Sequence, residues 1–166
     1  LLRIGDAGVP DNQLQIACSR NVTNSDLQFE AGKCYHIAVA FDNGNVKVYI
    51  NGSEKLSDNV GSTSISLGAK HHNEDDGSRV FWIGYSYAHD RYFDGDIAEV
   101  RIWNRTLSKD DVNAPNHFYT VDPASEGLIS YWKFDDAAGN IIKDYSPSGY
   151  DLTCDKNPKW NKISIP

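Results

Sequence analysis

Between Tyr35 and Lys55 the chain reads YHIAVAFDNGNVKVYINGSEK. It holds two Asn-Gly pairs, Asn43-Gly44 and Asn51-Gly52. Asn and Gly tolerate the positive φ that both central residues of a tight hairpin turn require. The first pair joins Tyr35–Phe41 to Val46–Ile50, two short runs rich in β-branched and aromatic residues. The second follows directly on Ile50. A chain reversed twice in so short a span is antiparallel sheet, because parallel strands need crossovers of a dozen residues or more.

The remaining sequence has the same character. Leu1–Ile4 and Gln13–Cys18 read as strands, the second alternating polar and apolar residues. Ser19–Asp26 reads as a polar loop or loose hairpin, and Leu27 with Phe29 as a short strand before Gly32. Ser64–Leu67, Val80–Gly84, Leu128–Phe134 and Ile141-Ile142 are further strands. In Phe93–Asp111, Asp94-Gly95-Asp96 turns and Ile97–Trp103 forms a strand on which Glu99 and Arg101, two apart, share a face. Ser108 and Asp111 then mark the start of a short helix. One of Phe81 and Trp82, together with Trp103 and Trp132, is expected to line the interior. Many short strands with almost no helix make an all-β sandwich or barrel.

Three strings carry a family resemblance: KCYHIAVAFDNGNVKVYINGSEK at Lys33–Lys55, GDIAEVRIWNRTLS at Gly95–Ser108, and GLISYWKFDDAAGNIIKDYSPSGYDLT at Gly127–Thr153. Together they resemble the laminin-G-like, concanavalin A-type domain. The resemblance implies an all-β, two-sheet antiparallel β-sandwich, a jelly roll. It also implies one or two strands upstream of Leu1, hence a single domain over residues 1–166 that is a fragment of a longer chain, from a secreted or cell-surface bacterial protein. A chain without Met that opens on LLRIG agrees with that expectation.

Composition narrows the partners. Sixteen Lys and Arg against 23 Asp and Glu give a net charge of -7. Nucleic acid is excluded as an expected partner, since its binding rests on concentrated positive charge. A neutral or cationic partner, or a divalent metal, suits this balance better. No apolar run is long enough to span a bilayer. The three cysteines, Cys18, Cys34 and Cys154, contain no CxxC pair. Cys18 and Cys34 fall on neighbouring expected strands, so their pairing stays open. The resemblance places Cys34 where an aromatic residue is common, which implies a small buried thiol.

Catalysis lacks its signature. Glycoside hydrolysis needs two facing carboxylates, about 5–5.5 Å apart in retaining enzymes. The glucanases of the resembling fold carry three on one strand, as Glu-x-Asp-x-Glu. Here Glu99 is flanked at those positions by Ile97 and Arg101, which reads as a structural ion pair. There is no Gly-x-Ser-x-Gly string, and the five histidines are scattered. His71-His72 with Glu74 offers metal-binding types, but adjacent side chains on extended backbone point apart.

Two segments remain as candidate sites. Asp144–Asp151 supplies two carboxylates and two hydroxyls, and calcium takes six to eight oxygens. The resemblance makes Asp144 and Asp151 candidate ligands of a structural calcium, although Pro147, Ser148 and Tyr150 depart from the family's loop. The segment YSYAHDRYF interleaves aromatic rings with charge. Sugar recognition uses aromatic faces and a few fixed polar groups, so Tyr85, Tyr87, His89, Asp90, Arg91 and Tyr92 are the expected carbohydrate-binding residues. The function read from the sequence is a non-catalytic module for a glycan or polysaccharide, working beside other domains of its parent chain in an extracellular, cell-surface or periplasmic setting. A structural or protein–protein adhesion domain is the alternative, and a glycoside hydrolase the third.

Overall fold

The computed structural model describes residues 2–5, 8–18, 20–64, 82–85, 92–154 and 158–163. Strands β1 (Leu2–Ile4), β2 (Leu14–Ala17) and β3 (Asn21–Val22) form one antiparallel sheet. Strands β4 (Ile37–Asp42), β5 (Asn45–Ile50) and β6 (Ser53–Asn59) form a second. Strand β7 (Val100–Trp103) pairs with β8 (Leu128–Trp132), and β9 (Ile141–Ile142) with β10 (Leu152–Thr153). A one-turn helix, α1 (Lys109–Val112), lies between β7 and β8.

Both Asn-Gly pairs do what their chemistry requires. Asp42 faces Asn45 and Ile50 faces Ser53, so each connection has two residues. All four have positive φ: Asn43 46° and Gly44 88°, Asn51 48° and Gly52 75°. Gly52 is needed for space as well, because a Cβ there would lie 2.0 Å from Asn113 Oδ1. The Asn113 amide donates to the Gly52 carbonyl at 3.0 Å, which ties the end of α1 to the β5–β6 turn.

The period of β5 puts Val46, Val48 and Ile50 on one face, against Leu14, Ile16 and Val22 of the first sheet. Leu27 and Val60 seal this core. A bulge between Val48 and Tyr49 accompanies the turn of Tyr49 to the other face, where Ala40 and Val112 pack with Leu107 and Phe118. The central sheet is thus covered by the first sheet on one side and by the α1 segment on the other.

Helix α1 begins in the expected capping box. Ser108 Oγ accepts from Asp111 N at 3.1 Å, and Asp111 Oδ2 accepts from Ser108 N at 2.8 Å. The Arg105 guanidinium, followed by these Ser108 donors, holds the Asp111 carboxyl far below the usual carboxylate range.

Several expectations change. Leu27 and Phe29 do not form a strand. Ser25–Leu27 is a 3-10 turn, because Asn24 Oδ1 captures the Asp26 N–H at 3.0 Å and offers the backbone a local partner. Asn21–Val22, expected as loop, is a strand. Cys34 is exposed rather than buried, since it precedes β4 and strand alternation does not act on it. Cys18 and Cys34 do not pair with each other. Trp132 is buried at 2% exposure, whereas Trp103 and Trp82 are half-buried. Phe81, the strand at residues 65–67 and the segment with His71, His72 and Glu74 lie outside the described residues.

Candidate functional site

Gly84, at φ 73°, and Tyr85 meet Tyr92 and Phe93 as a short antiparallel contact. Tyr85 bridges Tyr92, and Phe93 N donates to the Gly84 carbonyl at 2.8 Å. The rings form a stepped series. Trp82 meets Tyr85 edge-on at 5.6 Å, and Tyr85 meets Tyr92 tilted at 5.0 Å. Trp82 and Tyr85 are half-buried, whereas Tyr92 is 61% and Phe93 45% exposed. The Phe93 ring lies over Gly95, where a Cβ would come within 2.8 Å of it. Of the six expected sugar-binding residues, the structure describes Tyr85 and Tyr92 and brings them together. Tyr87, His89, Asp90 and Arg91 lie outside the described residues. Phe93 joins the exposed surface; its place beside Tyr92 was a signal for including it.

At the head of β7, Glu99 and Arg101 form a buried charged cluster. Arg101 Nη2 donates to Glu99 Oε2 at 2.5 Å, and Tyr131 Oη donates to the same oxygen at 2.5 Å. Arg101 Nη1 donates to the His117 carbonyl at 2.5 Å. The two side chains are 5% and 17% exposed for Arg101 and Glu99. This is the structural ion pair expected from the sequence. Tyr131, which completes it from 32 residues away, had no sequence signal.

Asp144 is 3% exposed. Its Oδ1 accepts from the backbone N–H groups of Tyr131 and Ser146, both at 2.8 Å, and its Oδ2 from that of Tyr150 at 3.0 Å. Asp151 Oδ1 in turn accepts from Asp144 N at 2.8 Å. Burial alone would raise the Asp144 pKa; the N–H groups of Tyr131 and Ser146, the Ser146 hydroxyl and the Tyr150 N–H outweigh it and lower it. These donors turn positive ends toward both carboxylate oxygens, the opposite of what a calcium cage presents. No group of three His, Cys, Asp or Glu able to hold a metal occurs among the described residues. These hydrogen bonds make Asp144 and Asp151 a backbone anchor of the loop.

The family described as the concanavalin A-like lectin/glucanases superfamily matches residues 4–113. This chain belongs to that superfamily. A solved structure from Bacteroides ovatus ATCC 8483, provisionally named a carbohydrate binding protein, aligns with 97% of the chain at a TM-score of 0.68 and 24% identity. At that identity the likeness speaks for the fold. The alignment spans 48% of the other protein, so this chain corresponds to about half its length. No curated protein matches.

Lectins and glucanases share this superfamily, and the residues here bear on the choice. Glu99, just before β7, has its Oε2 already held by Arg101 and Tyr131. A shallow groove of about 430 Å³ adjoins β7 and includes Trp103, Arg105, Asp111 and His117. Its aromatic ring is not free: Arg105 Cζ stands 5.5 Å from the Trp103 ring and His117 stacks at 6.3 Å. No helix of the described residues is long and apolar enough to cross a membrane.

Proposed function

We propose that this concanavalin A-like domain is a non-catalytic carbohydrate-binding module of a secreted or cell-surface protein. The observation that carries the reading is the exposed Tyr92 ring, backed by Tyr85 at 5.0 Å and flanked by Phe93. A ring already braced by another loses little freedom on binding and offers a flat apolar face to the C–H side of a pyranose. Tyr87, His89, Asp90 and Arg91, between these two tyrosines in sequence, supply the polar groups that would fix hydroxyls. The Glu99 cluster supports a binding rather than a hydrolytic role, since its carboxylate serves Arg101 and Tyr131. The name of the Bacteroides ovatus protein agrees with this reading.

The test is a glycan array with the multimerised chain, followed by calorimetry on the hits with Tyr92→Ala. Multimerisation matters because a single shallow sugar site gains little energy and avidity supplies the rest. Loss of binding in a variant that melts like the parent supports the proposal. Unchanged binding by Tyr92→Ala moves the site elsewhere. Silence across the array favours the adhesion reading.

A further inference from the structure

Asn43 and Asn51 are the asparagines of this chain that precede a glycine. An asparagine so placed can lose its side-chain amide to its own backbone. The nitrogen of the next residue reaches the side-chain carbonyl carbon, and glycine has no Cβ to stand in the way. The two turns form a matched pair. Each connection has two residues, and Asn43 and Asn51 share nearly the same backbone, at φ 46° and 48°. Both asparagines are exposed and both glycines are buried. Backbone conformation and solvent access therefore do not separate the two sites.

Their side chains do. Asn51 Oδ1 accepts from the His36 N–H at 2.8 Å, and Asn51 N donates to the His36 carbonyl at 2.9 Å. The Asn51 amide thus stands in for a backbone carbonyl and extends the β4–β5 ladder past its last pair, Ile37 and Ile50. Gly52 is wedged as well. Its carbonyl accepts from Asn113 Nδ2 at 3.0 Å, and a Cβ there would lie 2.0 Å from Asn113 Oδ1 and 3.0 Å from Phe118 Cζ. At the first turn the Gly44 carbonyl is also held, accepting from Val60 N at 2.9 Å. No hydrogen bond from a described residue holds the Asn43 side chain, however. The Asn43 amide is free to turn onto the following nitrogen, whereas that of Asn51 must first break its bond to His36.

We propose that Asn43 is a site of spontaneous deamidation in the folded protein, and that the contacts of Asn51 and Gly52 protect the second turn from the same reaction. Gly44 N attacks Asn43 Cγ and forms a new N–C bond. The side-chain amide nitrogen leaves as ammonia, carrying the proton released from Gly44 N, and a five-membered imide remains. Water opens the imide at either carbonyl, which leaves an aspartate or an isoaspartate at position 43. The net change is amide plus water to carboxylate plus ammonium, so no oxidant or reductant is needed. The isoaspartate form adds one methylene to the backbone directly before Gly44. Gly44 ties the turn to Val60, which is fully buried. Modification therefore loosens the β4–β5 turn from the end of β6.

The test incubates the folded chain and the urea-denatured chain at one mildly alkaline pH and follows both sites by mass spectrometry. Trypsin cuts after Lys33, Lys47 and Lys55, so Asn43 and Asn51 fall on separate peptides, residues 34–47 and 48–55. In urea the two sites are expected to convert at matching rates. In the folded chain Asn43 is expected to convert about tenfold faster than Asn51, the factor that one retained hydrogen bond supplies. The aged parent is expected to melt about 2–4 °C below the fresh protein, as the loss of one buried hydrogen bond implies for a domain of this size. Asn43→Gln, whose longer side chain closes a ring far more slowly, is expected to keep its fresh melting curve on ageing. Matching rates at the two sites in the folded chain overturn the inference. An Asn43 that stays intact in the folded chain also overturns it, because the turn backbone alone would then protect both sites. So does a preference for Asn43 that is as large in urea, since sequence rather than structure would then set it. Conversion at Asn43 with an unchanged melting curve overturns the loosening at Val60.

Discussion

Arg101 Nη2 lies 2.5 Å from Glu99 Oε2, and the contact forms although Glu99 stands outside the strand. Glu99 precedes β7 with φ 57°, a left-handed conformation that costs a non-glycine residue about 1 kcal/mol or more. The ion pair and the Tyr131 hydroxyl bond offset that strain. The simple alternation that would put the two side chains on one face is therefore not how they meet; the twist at Glu99 is.

Breaking the pair on one side is expected to be costly. Arg101→Met leaves the Glu99 carboxylate without its cation, and its side chain is 17% exposed. The expected loss is about 3 kcal/mol, the low end for a broken buried pair. Glu99→Gln/Arg101→Met is expected to be more stable than Arg101→Met alone, because no charge is then left uncompensated. Urea denaturation of both variants checks the order, and a double variant weaker than the single one would contradict the account.

The tryptophans give a second ranking. Trp132 is 2% exposed and its Nε1 donates to the Tyr150 carbonyl at 2.8 Å. Trp132→Ala is expected to cost about 3–5 kcal/mol. Trp103 is half-buried, with the partly exposed Arg105 guanidinium as one neighbour. Trp103→Ala is expected to cost about 2 kcal/mol, less than a full core deletion. Equal losses at the two positions would show that Trp103 is a core residue after all.

What the sequence made legible divides along physical lines. Asn43-Gly44, Asn51-Gly52 and the Ser108–Asp111 box are local, and each demands particular residue types at fixed spacing. They were readable without the rest of the chain. Leu27 was misread because a capping side chain at Asn24 competes with strand formation, and hydrophobicity alone does not distinguish the outcomes. The candidate calcium loop shows a deeper limit. Asp144 has the side chain of a metal ligand, but its role is set by N–H groups of Tyr131 and Tyr150 that tertiary structure brings to it. The aromatic segment was legible as a chemical type, and Tyr92 exposed beside Tyr85 agrees with that type.

Acid sensitivity is expected from His36. Its ring stacks on Phe118 at 4.4 Å, meets His117 edge-on at 5.7 Å, and has a buried Nδ1 without a partner. Burial first, then His117 and Arg101, push its pKa down to about 4. His117 is lowered as well, by burial and then Arg101, with Asp111 opposing and Arg105 adding. A folded pKa below the unfolded value means that the unfolded chain binds the proton more readily. Stability is then full above about pH 6.5 and is lost as pH falls toward about 4. His36→Phe keeps the stacked ring and removes the titration, so its melting temperature is expected to fall less over this window. A parallel decline in both proteins would assign the acid sensitivity elsewhere.

Asp144 separates an anchor from a metal ligand. Removing its carboxylate by Asp144→Ala orphans the Tyr131, Ser146 and Tyr150 N–H groups together. Each unsatisfied buried donor costs about 1–3 kcal/mol, so a total of about 3 kcal/mol or more is expected. Asp144→Asn keeps an acceptor but loses the charge and turns an amide N–H toward a donor. It is expected to recover only part of the loss. Chelator is expected to leave the parent melting curve unchanged, because a ligand that binds the native state stabilises it by mass action and its removal must show. A curve that drops with chelator and recovers with added calcium would mean that the oxygens around Asp151 hold a cation beyond this hydrogen-bonded arrangement. The destabilisation of Asp144→Ala would then depend on calcium concentration, which the anchor account forbids.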